Sequence, residues 1–242
     1  HAEARTNIVG ADSISARYNL SAFSAGGYGI RPYEKGTEEK RMLSMEQAQY
    51  ELKIAVRNNP GLWEQHSLVA AACARRIAEK VPGMNPEKAY ILGLLHDIGR
   101  RVGVTGMRHI VNGYHYLRSI GEHEIAPVCI THSYPIKDPE MFAGKHDCTS
   151  EEKELIQHVL VNREYDDYDR LIQLCDAISL PTGACIMEKR FVDVVMRHGF
   201  NTFTVEKWRK YMEIKKYFDA LCGCDIYTLL PNLIENSMTN LT

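Results

Sequence analysis

Histidines and aspartates define the chemistry open to this chain. Five places stand out: His66, the adjacent pair His96-Asp97, His109, His132 and Asp176, separated by 30, 13, 23 and 44 residues. Imidazole and carboxylate ligands together suit divalent cations such as iron, manganese, cobalt, nickel or zinc, with magnesium at the oxygen-preferring end. Cysteine is missing from the set, which argues against a structural zinc site and for a catalytic one. A lone inward histidine is more often a core residue bonded to a carbonyl, so no single position carries the argument. Several on separate helices do, because a buried carboxylate must be paired or bound to metal.

The neighbours of these residues say what must position them. Ile125, Val128, Cys129 and His132 fall at i, i+3, i+4 and i+7, which puts the histidine on the buried stripe of a helix. Leu62, His66, Val69 and Cys73 repeat the pattern, as do Ile172, Cys175, Asp176 and Ser179. His96-Asp97 ends the apolar run from Ala89 to Leu95, where Gly93, one turn before Asp97, is expected to leave room beside the carboxylate. A second pair, His146-Asp147, lacks apolar helical context and reads as solvated.

The rest of the chain fits that picture. Of its 242 residues 45% are hydrophobic and 25% charged, as in an ordinary globular protein. From Ser44 onward apolar residues recur at three- and four-residue spacing with no long alternating run, which predicts an all-α fold. Helices are expected near 45–57, 62–80, 86–101, 107–120, 122–132, from 149, and near 165–180, 185–198, 204–220 and 223–237. Ser44 and Asn85 are predicted N-caps, Pro86 a first-turn proline, and Thr149 with Glu152 a capping box. Residues 133–148, with Pro135, Pro139 and Gly144, predict a long loop of the kind that often carries function. Residues 1–41 read as an irregular extension, native or vector-derived, and 42–242 as one helical domain. Its motif core is about 60–180, and its C-terminal helices span 185–237.

Charge and cysteines narrow the setting. The 29 basic and 31 acidic residues leave a net charge of -2, which disfavours nonspecific nucleic-acid binding. The run Ala89–Leu95 is too short to span a bilayer, and no secretory signal is visible, so a cytoplasmic protein without a membrane partner is expected. Seven cysteines, an odd number, read as reduced thiols. Cys222-Gly-Cys224 has no matching second pair, so a zinc knuckle is not expected.

Five segments together resemble the HD superfamily of metal-dependent phosphohydrolases, in particular its small stand-alone members. They are Gln65–Ala70, Ala89–Arg100, Arg108–Leu117, Ile130–Ser133 and Leu174–Ile178, in the family's order and spacing over about residues 60–180. The resemblance implies an HD-domain helical bundle with a metal site in its core. His66, His96, Asp97 and Asp176 would hold one ion, and Asp97 would bridge to a second held by His109 and His132. His109 is chosen over His115 because His109 precedes Gly113 by four residues, as the family's histidine precedes a small residue. Arg100 stands where the family carries a lysine or arginine and is the candidate phosphate partner; Arg101, Arg108 and Lys137 are weaker candidates. After His132 the chain reads Ser133-Tyr134-Pro135, with neither a second histidine nor a Gly-Tyr-Pro segment, so the likeness does not extend to the cyclic-dinucleotide phosphodiesterases.

One or two cations in such a set could hold a hydroxide and clamp a phosphoryl group. The expected function is hydrolysis of a phosphate ester or anhydride of a nucleotide or small phosphorylated metabolite. An HD-fold di-iron oxygenase uses nearly the same ligands, and a metal-containing binding module without turnover is the third reading. Substrate identity and oligomeric state are not written in any motif.

Overall fold

Capping decides where the helices start, and a computed structural model describes the result for residues 42–239. The extension read at 1–41 lies outside the described residues. Ser44 opens α1 (Met45–Asn58): its hydroxyl accepts from the Gln47 backbone N–H while the Gln47 side chain accepts from the Ser44 N–H. Asn59-Pro60-Gly61 then separates α1 from α2 (Trp63–Ala78). Asn85 accepts from the N–H groups of Glu87 and Lys88 to start α3 (Pro86–Leu95), with Pro86 at the first position. Next come α4 (Arg108–Ser119) and α5 (Val128–Thr131), then α6 (Ser150–Asn162), opened by the Thr149–Glu152 box. The remaining helices are α7 (Asp167–Ala177), α8 (Met187–His198), α9 (Thr204–Cys222) and α10 (Leu233–Met238).

The fold is all-α, and four local differences from the sequence reading have physical causes. The third helix stops at Leu95 instead of reaching 101: Asp97 leaves helical geometry at φ -102°, ψ 12°, and residues 98–102 form a 3-10 turn. That turn exists because Gly99 presses on α4, where a Cβ would stand 1.9 Å from the His109 carbonyl oxygen and 2.3 Å from the Gly113 nitrogen. Of the helix expected at 122–132, only Val128–Thr131 is regular, since Pro127 has no N–H to donate. The helix expected at 223–237 is split by Pro231 and by Asn232, whose φ is +55°. Between α7 and α8 a two-stranded antiparallel hairpin appears, β1 (Ser179–Leu180) with β2 (Gly183–Ala184), too short for any alternation to announce.

Packing brings the elements that matter into contact. A Cβ on Gly93 would lie 2.8 Å from the Ala71 Cα, so only glycine lets α3 approach α2 this closely. Gly93 therefore draws two helices together and does not clear space beside Asp97, as its position had suggested. Leu62 is 72% exposed and falls outside the buried face of α2, which runs instead through His66, Ala70, Cys73 and Ala74. A second apolar cluster, with Met107, Ile110, Tyr134, Met141 and Leu160, lies beneath the 133–148 segment, so that loop is packed as well as long. Among the described residues no helix is long and apolar enough to cross a membrane. All seven cysteines are free thiols, and among the described residues neither Cys222 nor Cys224 belongs to a group that could hold a metal.

Candidate metal centre

All six candidate ligands meet at one place. His66, His96, Asp97, His109 and His132 are each at most 7% exposed, and the Asp176 side chain is 21% exposed. His66 Nε2 lies 2.9 Å from Asp176 Oδ1 and 3.3 Å from His96 Nε2. On the other side, Asp97 Oδ1 lies 3.0 Å from His109 Nε2 and 3.8 Å from His132 Nε2. Ligand atoms of His66, His96 and Asp176 fall within 4.8 Å of one another, and so do those of His96, Asp97 and His132. The member common to both groups is His96, whereas the sequence reading gave the bridging position to Asp97.

The ring orientations show what the cluster is built to hold. Each Nδ1 faces a backbone carbonyl: Ser179 for His66 at 3.2 Å, Gly93 for His96 at 2.6 Å, Gly106 for His109 at 2.6 Å and Val128 for His132 at 3.0 Å. In its neutral form each ring therefore carries its proton on Nδ1 and presents a bare Nε2 to the interior. The Ser133 hydroxyl donates to the His132 Nε2, 3.0 Å away. Asp97 Oδ1 is buried and receives no hydrogen bond although His109 Nε2 is close, because that nitrogen has no proton to give. Lone pairs aimed at lone pairs and at carboxylates repel unless a cation lies among them. The donor set and the orphaned oxygen both fit a divalent ion.

Electrostatics keep the ligands in binding form. Burial pushes the His96 ring down from its ordinary range and His132 to about 3, so both stay neutral near pH 7. Burial alone would raise the Asp97 carboxyl, but the Arg100 guanidinium outweighs it and holds the group well below the usual carboxylate range. Asp176 is likewise held well below that range against the opposing effect of burial, with the Arg190 guanidinium beside it.

With that geometry in place, the comparison with known families is specific: the HD domain model matches residues 63–180. The chain carries an HD domain. Such domains are mostly metal-dependent hydrolases. Neither a curated protein nor a solved structure matches the chain.

Around the centre of this HD domain the cationic candidates separate. Arg100 Nε donates to Asp97 Oδ2 at 2.6 Å, and its Nη2 lies 3.5 Å from His109 Nε2, so its guanidinium stands beside the ligands. The other three, the weaker candidates of the sequence reading, have partners elsewhere. Arg101 stacks on the Tyr116 ring at 3.5 Å and faces Glu51, Arg108 pairs with Glu152 at 3.1 Å, and Lys137 donates to the Arg163 carbonyl. Asp147 is not solvated as expected: its carboxylate accepts from the N–H groups of Gly106 and Arg108, fixing the start of the helix that carries His109. From the 133–148 loop, the Phe142 ring sits 6.1 Å from that of His109.

Sequence reasoning missed a cavity beside Asp176. Arg190 and Lys207 line it, with Met141, Phe191 and Trp208 among its apolar walls. The signal was present but weak: Lys207 shares a helix face with Trp208 and Tyr211, and Arg190 with Phe191 and Val194, so each cation sits on an otherwise apolar stripe.

Proposed function

We propose that the chain is a metal-dependent phosphohydrolase that cleaves a phosphate ester or anhydride of a nucleotide or small phosphorylated metabolite. The observation that carries this is the ring of four Nε2 atoms and two carboxylates with Arg100 at its edge and a cation-bearing cavity beside it. His66, His96 and Asp176 would hold one divalent ion, and Asp97, His109 and His132 a second. Such ions supply an activated water and Lewis-acid stabilisation of phosphoryl charge.

The chain's own groups do the rest. Backbone carbonyls at Gly93, Gly106, Val128 and Ser179 fix the four rings, so the ligands need no reorganisation on binding. Arg100, always protonated and 32% exposed at its side chain, would bind a phosphoryl oxygen. The cations at the cavity support an anionic substrate. The net charge of -2 supports a small molecule over nonspecific nucleic acid, and the seven free thiols support a cytoplasmic setting.

The test is a screen of phosphate esters and nucleotides with Mn²⁺, Fe²⁺, Co²⁺ or Ni²⁺ under anaerobic conditions, beside elemental analysis. Phosphate release is expected, and Asp97→Ala should lose turnover together with the ion assigned to Asp97, His109 and His132. Oxygen consumption by a di-iron form without phosphate release would replace this reading with the oxygenase, and a metal-loaded protein inert in both assays would replace it with a binding module.

A further inference from the structure

Lys207 projects from α9 into the cavity beside Asp176, and its ammonium has an incomplete set of partners. Its hydrogen bond goes to the Ser133 carbonyl oxygen at 3.1 Å, and the carboxylate acting on it is Asp176, itself a candidate ligand. Among the described residues it forms no ion pair. Arg190, the other cation in the cavity, is already engaged. Its Nη1 binds Asp193 at 2.6 Å, its Nε donates to the Asp176 carbonyl, and its Nη2 lies 3.7 Å from Asp176 Oδ1. Arg190 thus steadies the aspartate, and Lys207 is left to meet an anion.

Beyond the two cations the wall turns apolar. Met141, Val194, Val195 and Tyr211 line it with Phe191 and Trp208, whose rings stack in parallel at 5.1 Å. The enclosed space is about 70 Å³ and opens to solvent on one side. A chain of several phosphates would bring charges that this wall has nothing to match.

We propose that Lys207 binds the phosphoryl group of the substrate and that the cavity receives one flat, largely uncharged organic group, which makes the substrate a phosphomonoester of an apolar or aryl-bearing alcohol. This rests on the hydrolase reading and narrows it.

Binding separates the two. Inorganic phosphate, methyl phosphate and phenyl phosphate are titrated into the Mn²⁺-loaded protein by calorimetry, using the slowest-turning-over conditions for the esters. Phenyl phosphate should bind at least tenfold more tightly than methyl phosphate. Lys207→Met should weaken inorganic phosphate at least tenfold with Mn²⁺ content and melting temperature unchanged, and Lys207→Arg should recover most of the loss. Val194→Phe, which narrows the cavity, should leave inorganic phosphate unaffected and abolish the phenyl preference. Unchanged phosphate affinity in Lys207→Met overturns the proposal, as does loss of Mn²⁺, which would make Lys207 a tie for the loop after His132. Equal affinity for the phenyl and methyl esters overturns the apolar seat. If the screen finds turnover while these results fail, the hydrolase stands and this assignment falls. If Lys207 binds phosphate as described and no ester is ever hydrolysed, the reverse holds.

Discussion

Removing Arg100 should loosen the metal-free protein and tighten its hold on metal. The arginine pairs with Asp97 at 2.6 Å, and the aspartate side chain is 5% exposed against 32% for the arginine. Breaking a buried pair costs about 3–5 kcal/mol, but solvent screens Arg100 and the stranded carboxyl can take up a proton, so Arg100→Ala should cost about 2–3 kcal/mol. For a domain of this size that lowers the melting temperature by roughly 5–10 °C. The same guanidinium opposes an entering cation. For a divalent ion at about 4 Å and an effective dielectric near 20 the repulsion is at most ~8 kcal/mol, and since the side chain can swing outward we take about a sixth of that. Mn²⁺ affinity should therefore rise about tenfold. If Arg100 also contacts a phosphoryl oxygen, kcat/KM should fall by about one to two orders of magnitude. Scanning calorimetry on chelator-treated protein, Mn²⁺ titration and steady-state kinetics give the three numbers. An unchanged melting temperature, or weaker metal binding, would refute the idea that Arg100 serves as the charge partner of Asp97.

Three further outcomes follow from particular contacts. Gly99→Ala places a Cβ 1.9 Å from the His109 carbonyl oxygen, so α4 must retreat. We expect a loss of about 3 kcal/mol in urea unfolding and markedly weaker metal binding, and a stable variant with normal affinity would contradict the packing argument. Asp147→Ala removes the acceptor for the Gly106 and Arg108 N–H groups and should cost about 1–2 kcal/mol in the same assay. The metal-free protein should also be sensitive to acid. His132 titrates at about 3 when folded against an ordinary 6.5, so the unfolded chain binds a proton that the folded one refuses. Stability is then full above about pH 6.5 and declines as pH falls, by up to ~1.4 kcal/mol per unit from this group. Asp97 and Asp176, held well below 3.8, add to the decline at lower pH. A urea midpoint that is flat between pH 7.5 and 5 would contradict this.

Local chemistry made much of this legible from the residues. The N-cap at Ser44, the capping box at Thr149 and the Asn85-Pro86 start are written within four residues, and the structure contains each of them. His66, His132 and Asp176 could be found because each is a polar group on a stripe of apolar ones, His96-Asp97 because it ends an apolar run, and His109 from the family resemblance. What escaped depends on contacts between distant segments. The end of α3 at Leu95 comes from Gly99 meeting α4, and Gly93 serves Ala71 on α2, neither of which a window along the chain can register. Asp147 looked solvated because its partners, Gly106 and Arg108, lie about forty residues earlier. Arg190 and Lys207 went unnoticed because a basic residue on an amphipathic helix is usually a surface charge; only the meeting of α7, α8 and α9 turns them inward.

The carbonyls that orient the four rings also imply an order of assembly. For His96, His109 and His132 the carbonyl belongs to a residue three or four positions earlier, so each ring is aimed as soon as its own turn forms. His66 differs: its carbonyl, on Ser179, is 113 residues away, and Asp176 belongs to that same distant segment. The half of the centre around Asp97 is therefore within reach of an early folding nucleus. The half around Asp176 must wait until the hairpin closes over α2. A metal ion supplied during refolding would be expected to engage the first half before the second, recording in its changing coordination the moment at which the ends of the motif core come together.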